Sequence, residues 1–418
     1  MKKLLAVMMI LLTLTSAVFA NGAAENKAPA KEDGPVTIRY WQHSSAARDE
    51  MMKELVKMFE AENPNIHVEL DFIPEKDYSQ KIIPSLATDT APDVFQIQTG
   101  MVGLLAEAGS IQPLDSSIIS AEDIANLFVP ATVDGLKFEG EYYGMPTDTQ
   151  TIILFWNKAL LKEAGLDWEN GPQTWEEFFD YARKLTKRDA AGNMIQSGWG
   201  GKGYWPELAA FLNQHGVDLT DDTGKFVFAD NPKAVDAFMA YANLYKVDKV
   251  YDLQFSKNWA GFRQGLVGMM LGHPAMIGNL VTTAPDLDYG VALIPTNGEN
   301  RNTCVTSWAY VMSSKAPSVE ATKFIEFLGS EEVEKMWTLK TGELPARKSL
   351  LSDPDILANP KVAVAIKSLE DSFVGPLQTG SLGGIFRKHY ERIMSTDVDP
   401  LTTLREMQDE LNEELEAF

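Results

Sequence analysis

VTIRYWQHSSAARDEMMKELVKMFEAENP, residues 36–64, carries two hydrophobic periods in succession. Val36, Ile38 and Tyr40 alternate with polar residues, the period of a half-buried strand. Met52, Leu55, Val56 and Phe59 then recur three and four residues apart, the period of a helix. The join between them, YWQHSS at 40–45, reads as a strand-to-helix turn. Such a turn exposes backbone N–H groups at a helix start and lies at the carboxyl end of a strand, where open α/β sheets hold their ligands.

Outward from that unit the alternation continues. IHVELDFIP (66–74) reads as a second strand, YSQKIIPSLATDT (78–90) as a helix and DVFQIQT (93–99) as a third apolar strand, the order expected of a parallel sheet. The pattern changes near residue 147, inside YYGMPTDTQTIILFWNK (142–158), where Gly144 and Pro146 punctuate and Thr151 to Trp156 form a continuous β-prone run. In GPQTWEEFFDYARKLTK (171–187), Thr174 followed three residues later by Glu177 is a capping box that starts a helix. DDTGKFVFADNPKAVDAFMAYANLYK (221–246) predicts a turn at Thr223-Gly224, a strand over 226–228 and a helix opened by Asn231-Pro232. GLVGMML (265–271), YGVALIP (289–295) and SWAYVMS (307–313) read as strands, and VEATKFIEFLGSEEVEKMW (319–337) and the acidic C-terminus as helices. No repeat recurs at a fixed period.

The first 20 residues have Lys2 and Lys3, an apolar run from Leu4 to Leu12 and small residues at Val18 and Ala20, the marks of a secretory signal cleaved after Ala20. Residues 21–35 read as a flexible leader. The apolar run is too short to span a bilayer and nothing later approaches about 20 apolar residues, so the mature chain is expected to be soluble and exported. The single cysteine, Cys304, is far from the cleavage site and excludes an internal disulfide. A chain of 418 residues is too long for one core and suggests two or three domains. With 37 Lys and Arg against 59 Asp and Glu the net charge is −22, which argues against a surface that tracks nucleic-acid phosphates.

Catalytic and cofactor motifs are weak or missing. Gly198, Gly200 and Gly203 spell G-x-G-x-x-G, but the preceding NMIQS is too polar for the buried strand of a dinucleotide fold. No phosphate-binding P-loop, H-E-x-x-H or G-x-S-x-G occurs, and the five histidines (His43, His67, His215, His273, His389) are scattered without metal-ligand spacing. DLTDDTG (218–224) lacks the alternating acids and distal Glu of a calcium loop and fits a hairpin turn. Carboxylates are plentiful, so a glycoside-hydrolysing pair stays open, with solvated acids on helix faces the simpler reading. No cofactor and no metal are expected. Aromatics say more. Trp41, Trp199, Tyr204, Trp205, Trp259 and Trp308 lie in or beside turns, whereas Trp175 and Trp337 have core spacing. Loop tryptophans near polar groups suit sugar rings, whose C–H faces stack on indole while their hydroxyls take directed hydrogen bonds. About half of the six are expected to be structural, because few side chains line a pocket.

The order of these segments resembles extracellular solute-binding protein family 1, the sugar-binding proteins of ABC importers related to maltose-binding protein. The stretches that carry the resemblance are IRYWQHSSAARDEMMKELVKMFEAENPNIHVEL, APDVFQIQ, YGMPTDTQTIILFWNKALLKEAGL, PQTWEEFFDYARKLT, GLVGMMLGHPAMI, YGVALIPTNGE and TGELPARKSLL, together spanning about residues 36 to 415. The resemblance implies a type II periplasmic binding protein fold of two α/β lobes, with ligand enclosed when a hinge closes. One lobe would hold 36–147 plus 292–337 and the other 148–291 plus 338–418, with three chain crossings near Asp148, Tyr289 and Leu339. It implies a monomeric periplasmic protein, not an enzyme, that gives its ligand to the transmembrane permease subunits. Carried over by matching turns, the ligand-binding residues would be Gln42, His43, Ser44, Gln98, Thr99, Asp148, Gln150, Trp199, Tyr204, Trp205, Gly272, His273, Trp308 and Arg347. Asn258 and Trp259 are added on loop position alone. Where many members read G-x-W after the third stretch's strand, this chain reads Gly272-His273-Pro274, so the aromatic platform must come from elsewhere, such as Trp308 or Trp259. Two other classes stay open: a binding protein for a non-sugar solute, either a polyamine or glycerol phosphate, and a secreted carbohydrate-active enzyme.

Overall fold

A computed structural model describes residues 34–416 except 89, 202–204, 253, 256–257 and 376–379. The expected signal and leader lie almost wholly outside the described residues, as does Tyr204. Among the described residues no helix is long and apolar enough to cross a membrane.

Along the chain the strands used below are β1 (Val36–Ser44), β2 (Ile66–Pro74), β3 (Val94–Gln98), β4 (Ile111–Gln112), β5 (Gly144–Pro146), β6 (Ile153–Asn157), β7 (Lys187–Arg188), β8 (Met194–Trp199), β9 (Val267–Gly272), β10 (Tyr289–Leu293), β11 (Thr303–Val305), β12 (Trp308–Ser313) and β13 (Ser372–Val374). They form two main sheets, one for each lobe of a two-lobed α/β fold. The first runs β2-β1-β3-β12-β4, with β5 also on β12; β1, β2 and β3 are parallel, and β12 enters antiparallel. The second runs β10-β6-β9-β8-β7. Each sheet has its own apolar core. Tyr40, Phe59, Phe95, Phe324 and Trp337 belong to the first. Trp175, Phe178, Trp199, Trp205 and Tyr241 belong to a core on the second sheet, whose other face is packed by Phe155, Met270 and Leu280.

Most elements stand where their periodicity places them. Helix α1 (Ala46–Glu62) buries Met51, Met52, Leu55, Val56 and Phe59 against the first sheet. The Thr174 capping box is complete: Thr174 Oγ1 accepts from the Glu177 N–H at 3.2 Å, and Glu177 Oε2 accepts from the Thr174 N–H at 3.2 Å. Three local expectations need correction. Residues 40–44 are not a turn; β1 continues through Ser44, paired residue for residue with β2, and only Ser45 is left to start α1. Phe226 to Phe228 form no strand, because Phe226 makes a lone bridge to Thr220 and the chain then tightens into a 3₁₀ turn at Phe228–Asp230. Ala292 and Leu293 pair with Leu154 and Ile153 in the second sheet, so the chain does not return to the first lobe at 292 but only at Ser307 and Trp308.

Three stretches link the two sheets and bond to one another. The Thr149 N–H donates to the Leu344 carbonyl at 2.8 Å, and Gln150 and Thr306 exchange two bonds of 2.8 Å. Crossing segments that pair in this way satisfy their buried backbone groups without belonging to either sheet.

Candidate functional site

Between the sheets lies a cleft of about 500 Å³. Its first wall is the edge where β1 and β3 end and β12 begins: His43 and Ser44 from β1, Gln98 from β3 and Trp308, which sits opposite Gln98 in the antiparallel register. Helix α1 starts here, contributing Ser45, Ala46, Ala47 and Arg48. The second wall is His273, just after β9, with Trp259 and Arg263 from α2 (Asn258–Arg263) and Met276 and Asn279 from α3 (Ala275–Thr283). Gln150, Thr306, Thr341 and Glu343 of the crossing segments make the floor.

Two aromatic faces thus reach the cleft from different lobes. The Trp308 indole stacks on the His43 ring, centroids 4.3 Å apart and planes 30° off parallel. Trp259 lies over the end of β9, where a Cβ on Gly272 would stand 2.4 Å from its ring. Gly272 therefore acts by leaving room for an indole, and the platform that a tryptophan in the Gly272-His273-Pro274 stretch would give comes from α2 instead.

Charge in the cleft is concentrated. Arg48 Nε donates to Glu343 Oε1 at 2.5 Å, both side chains almost fully buried. Glu343 also accepts from Trp337 Nε1 at 2.7 Å. Burial pushes the Glu343 carboxyl up, and the adjacent Arg48 pulls it back down; two charge-assisted donors at contact distance favour the ionised pair. Burial, and then Arg48, hold His43 well below the usual imidazole range, and burial pushes His273 down to about 4. Both rings are then neutral at pH 7, each offering one donor and one acceptor.

The His273 shift has a consequence for pH. Its folded-state pKa of about 4 lies below the ordinary 6.5, so the stability linked to its neutral form is complete above 6.5 and is lost as pH falls through 4. The loss is expected to reach no more than about 3 kcal/mol. Urea melts between pH 7 and 4 should show it, and His273→Asn should flatten that part of the profile; an unchanged slope in the variant would refute the assignment.

Of the residues expected at the site, the cleft brings together His43, Ser44, Gln98, Gln150, Trp259, His273 and Trp308. Gln42 is fully buried behind the wall, donating to Asp49 at 3.1 Å and accepting from the Tyr40 hydroxyl at 3.2 Å. Thr99 opens a 3₁₀ turn and gives its N–H to the Ser307 carbonyl. The side chain of Asn258 is outside the described residues.

Four expectations are corrected. Asp148 is 1% exposed and faces the crossing segments, accepting from Thr147 Oγ1 at 2.7 Å, Gln150 Nε2 at 2.5 Å and the Trp308 N–H at 3.3 Å. It has little capacity left for ligand hydroxyls. Trp199 is fully buried among Phe178, Tyr241 and Tyr251, and Trp205 packs on Phe386 at 4.0 Å and Phe226. Arg347 gives Nε to the Gly329 carbonyl at 2.6 Å and lies over the Phe128 ring, so its fork braces the chain after the third crossing.

Arg48, Arg263, Asn279, Thr306 and Glu343 were not foreseen. Arg48 alone leaves a trace in the sequence: it falls on the same face of α1 as Met51, Met52 and Leu55, where a charged residue demands a partner.

Comparison with known proteins agrees with this architecture. A family model described as bacterial extracellular solute-binding protein matches residues 42–335. The chain is 25% identical over 338 residues to the sn-glycerol-3-phosphate-binding periplasmic protein of Shigella dysenteriae, covering 75% of each. Among solved structures it is similar to an ABC substrate-binding protein of Listeria monocytogenes in complex with cycloalternan, with a TM-score of 0.80, 23% identity and coverage of 91% of this chain and 99% of that one. A solute-binding protein of Thermotoga lettingae bound with α-D-tagatose gives a TM-score of 0.79 at 24% identity, over 90% and 99% of the two chains.

Proposed function

Because the chain belongs to the bacterial extracellular solute-binding protein family, we propose that it captures a sugar or a sugar-like polyol in this cleft and delivers it to the transmembrane permease of an ABC importer. The observation that carries the reading is the pair of indoles, Trp308 from one lobe and Trp259 from the other, in one cleft otherwise rich in groups that both donate and accept. A pyranose or polyol presents C–H faces to such rings and hydroxyls to Gln98, Gln150 and the two neutral imidazoles. The sugars bound by the Listeria and Thermotoga proteins support the same class of ligand.

Capture would work by closure. We assign 36–147 with about 307–341 to one lobe and about 148–306 with 342–416 to the other, the paired crossing segments acting as the hinge. A ligand held by Trp308 and Trp259 together contacts both lobes, so it favours the closed state by the contacts that only that state completes. The reading requires no bond to break, and the ligand should be recovered intact. With the expected signal peptide, the place of action is the periplasm.

Trp308→Ala should weaken sugar binding by about 10- to 100-fold, as expected for roughly 1–3 kcal/mol of lost ring contact, while the urea midpoint changes little because the side chain is partly exposed. Titration calorimetry of wild type and variant against a saccharide panel reads both quantities. Equal affinity in the two proteins would place the ligand elsewhere.

A further inference from the structure

The geometry points to a ligand that carries an anionic substituent, a phosphate or a carboxylate on its polyol skeleton, received by Arg263. This rests on the solute-capture reading above and adds a charge to the ligand. Among the described residues, the ionic side chains lining the cleft are Arg48, Arg263 and Glu343. Glu343 is already committed to Arg48 at 2.5 Å, which leaves Arg263 as a guanidinium with no carboxylate against it.

Arg263 is held in place without being neutralised. Its Nη1 donates to Asn279 Oδ1 at 3.0 Å, which ties the last residue of α2 to the middle of α3. The rest of its planar fork has no partner among the described residues, and the side chain is only partly exposed. A preorganised fork with donors to spare matches the two oxygens of a carboxylate or phosphate in a way that a single sugar hydroxyl does not.

The wall contributed by α1 adds the same sign. Ser45 is the N-cap and Ala46 and Ala47 the first two residues of the 17-residue α1, the Ser45 hydroxyl makes no capping bond, and the helix end is electropositive. The nearby carboxylate, Asp49, is turned under the wall, accepting from Ser44 Oγ at 2.5 Å and Gln42 Nε2 at 3.1 Å. His43, 6% exposed in this wall, has a Nδ1 with no hydrogen-bond partner among the described residues. In a chain of net charge −22, the ionic side chains that line the cleft, Arg48, Arg263 and Glu343, sum to one positive charge, which disfavours a polyamine.

Calorimetry of the mature chain tests this with matched probes: a hexose, its 6-phosphate and its uronate, and glycerol beside glycerol 3-phosphate. At least one anionic probe should bind about tenfold or more tightly than its neutral parent. Arg263→Gln should shrink that gap about tenfold, and Arg263→Lys should retain part of it, since the charge stays while the fork is lost. Preference for the phosphate over the uronate, or the reverse, names the substituent. Binding of neutral probes as tight as that of their anionic partners overturns the anionic assignment and leaves solute capture standing. A gap that survives Arg263→Gln likewise removes Arg263 from the role. No binding of any probe, neutral or anionic, overturns the assignment and the solute-capture reading together.

Discussion

Trp199→Ala should cost about 3–5 kcal/mol of stability, measured by urea denaturation, and should leave no specific deficit in ligand binding once the folded fraction is accounted for. Trp199 ends β8, is 0% exposed, and meets Tyr241 and Tyr251 edge-on at 5.0 and 5.1 Å. Removing a ring from such close packing costs both transfer free energy and a cavity that rigid neighbours cannot fill. A variant that keeps its stability but loses affinity would return Trp199 to the binding site.

Glu343→Ala should be comparably severe, about 3–5 kcal/mol, because it takes the carboxylate away from the buried Arg48 guanidinium and removes the acceptor of Trp337 Nε1. Replacing both partners by apolar residues, Arg48→Met with Glu343→Leu, should recover the part of that loss that comes from the broken ion pair, since apolar groups of similar volume need no partner, while Trp337 Nε1 still lacks its acceptor. Urea melts of the single and double variants read the difference. A single variant within about 1 kcal/mol of wild type would mean that water reaches the pair and screens it.

The fold was legible because both sheets are built from segments with strong, unbroken periods. The alternation through β1, the stripe of α1 and the Thr174 capping box each specify one element without help from the rest of the chain. Legibility failed where burial is decided by distant residues. Trp199 and Trp308 both lie beside Gly or Ser, yet one is sealed by helices contributed by residues 175–185 and 234–246 while the other stands at a sheet edge. Asp148 and Arg347 look like ligand groups because their residue types hydrogen-bond well, but nearer protein groups claim them first. The end of β1 reads as a turn because Gln42, His43 and Ser44 lack a β-prone character. Their pairing with Phe72, Ile73 and Pro74 is a property of the sheet, not of the segment. The sequence does not show that the chain returns at 307 and not at 292, because YGVALIP reads as a strand in either lobe, and its neighbour, β6, lies more than a hundred residues upstream.

Capture of a solute between the lobes is tested most directly by an intrinsic tryptophan fluorescence titration of the chain from Asn21 onward with sugars, sugar acids and polyol phosphates. The ligand is then recovered and identified by mass. Trp259 and Trp308 line the cleft from its two sides, so a saturable change with one class of ligand is expected, blunted in Trp308→Ala and Trp259→Ala, with the ligand returned unaltered. No saturable change across the panel, or a ligand returned cleaved, would contradict capture as the function of this cleft.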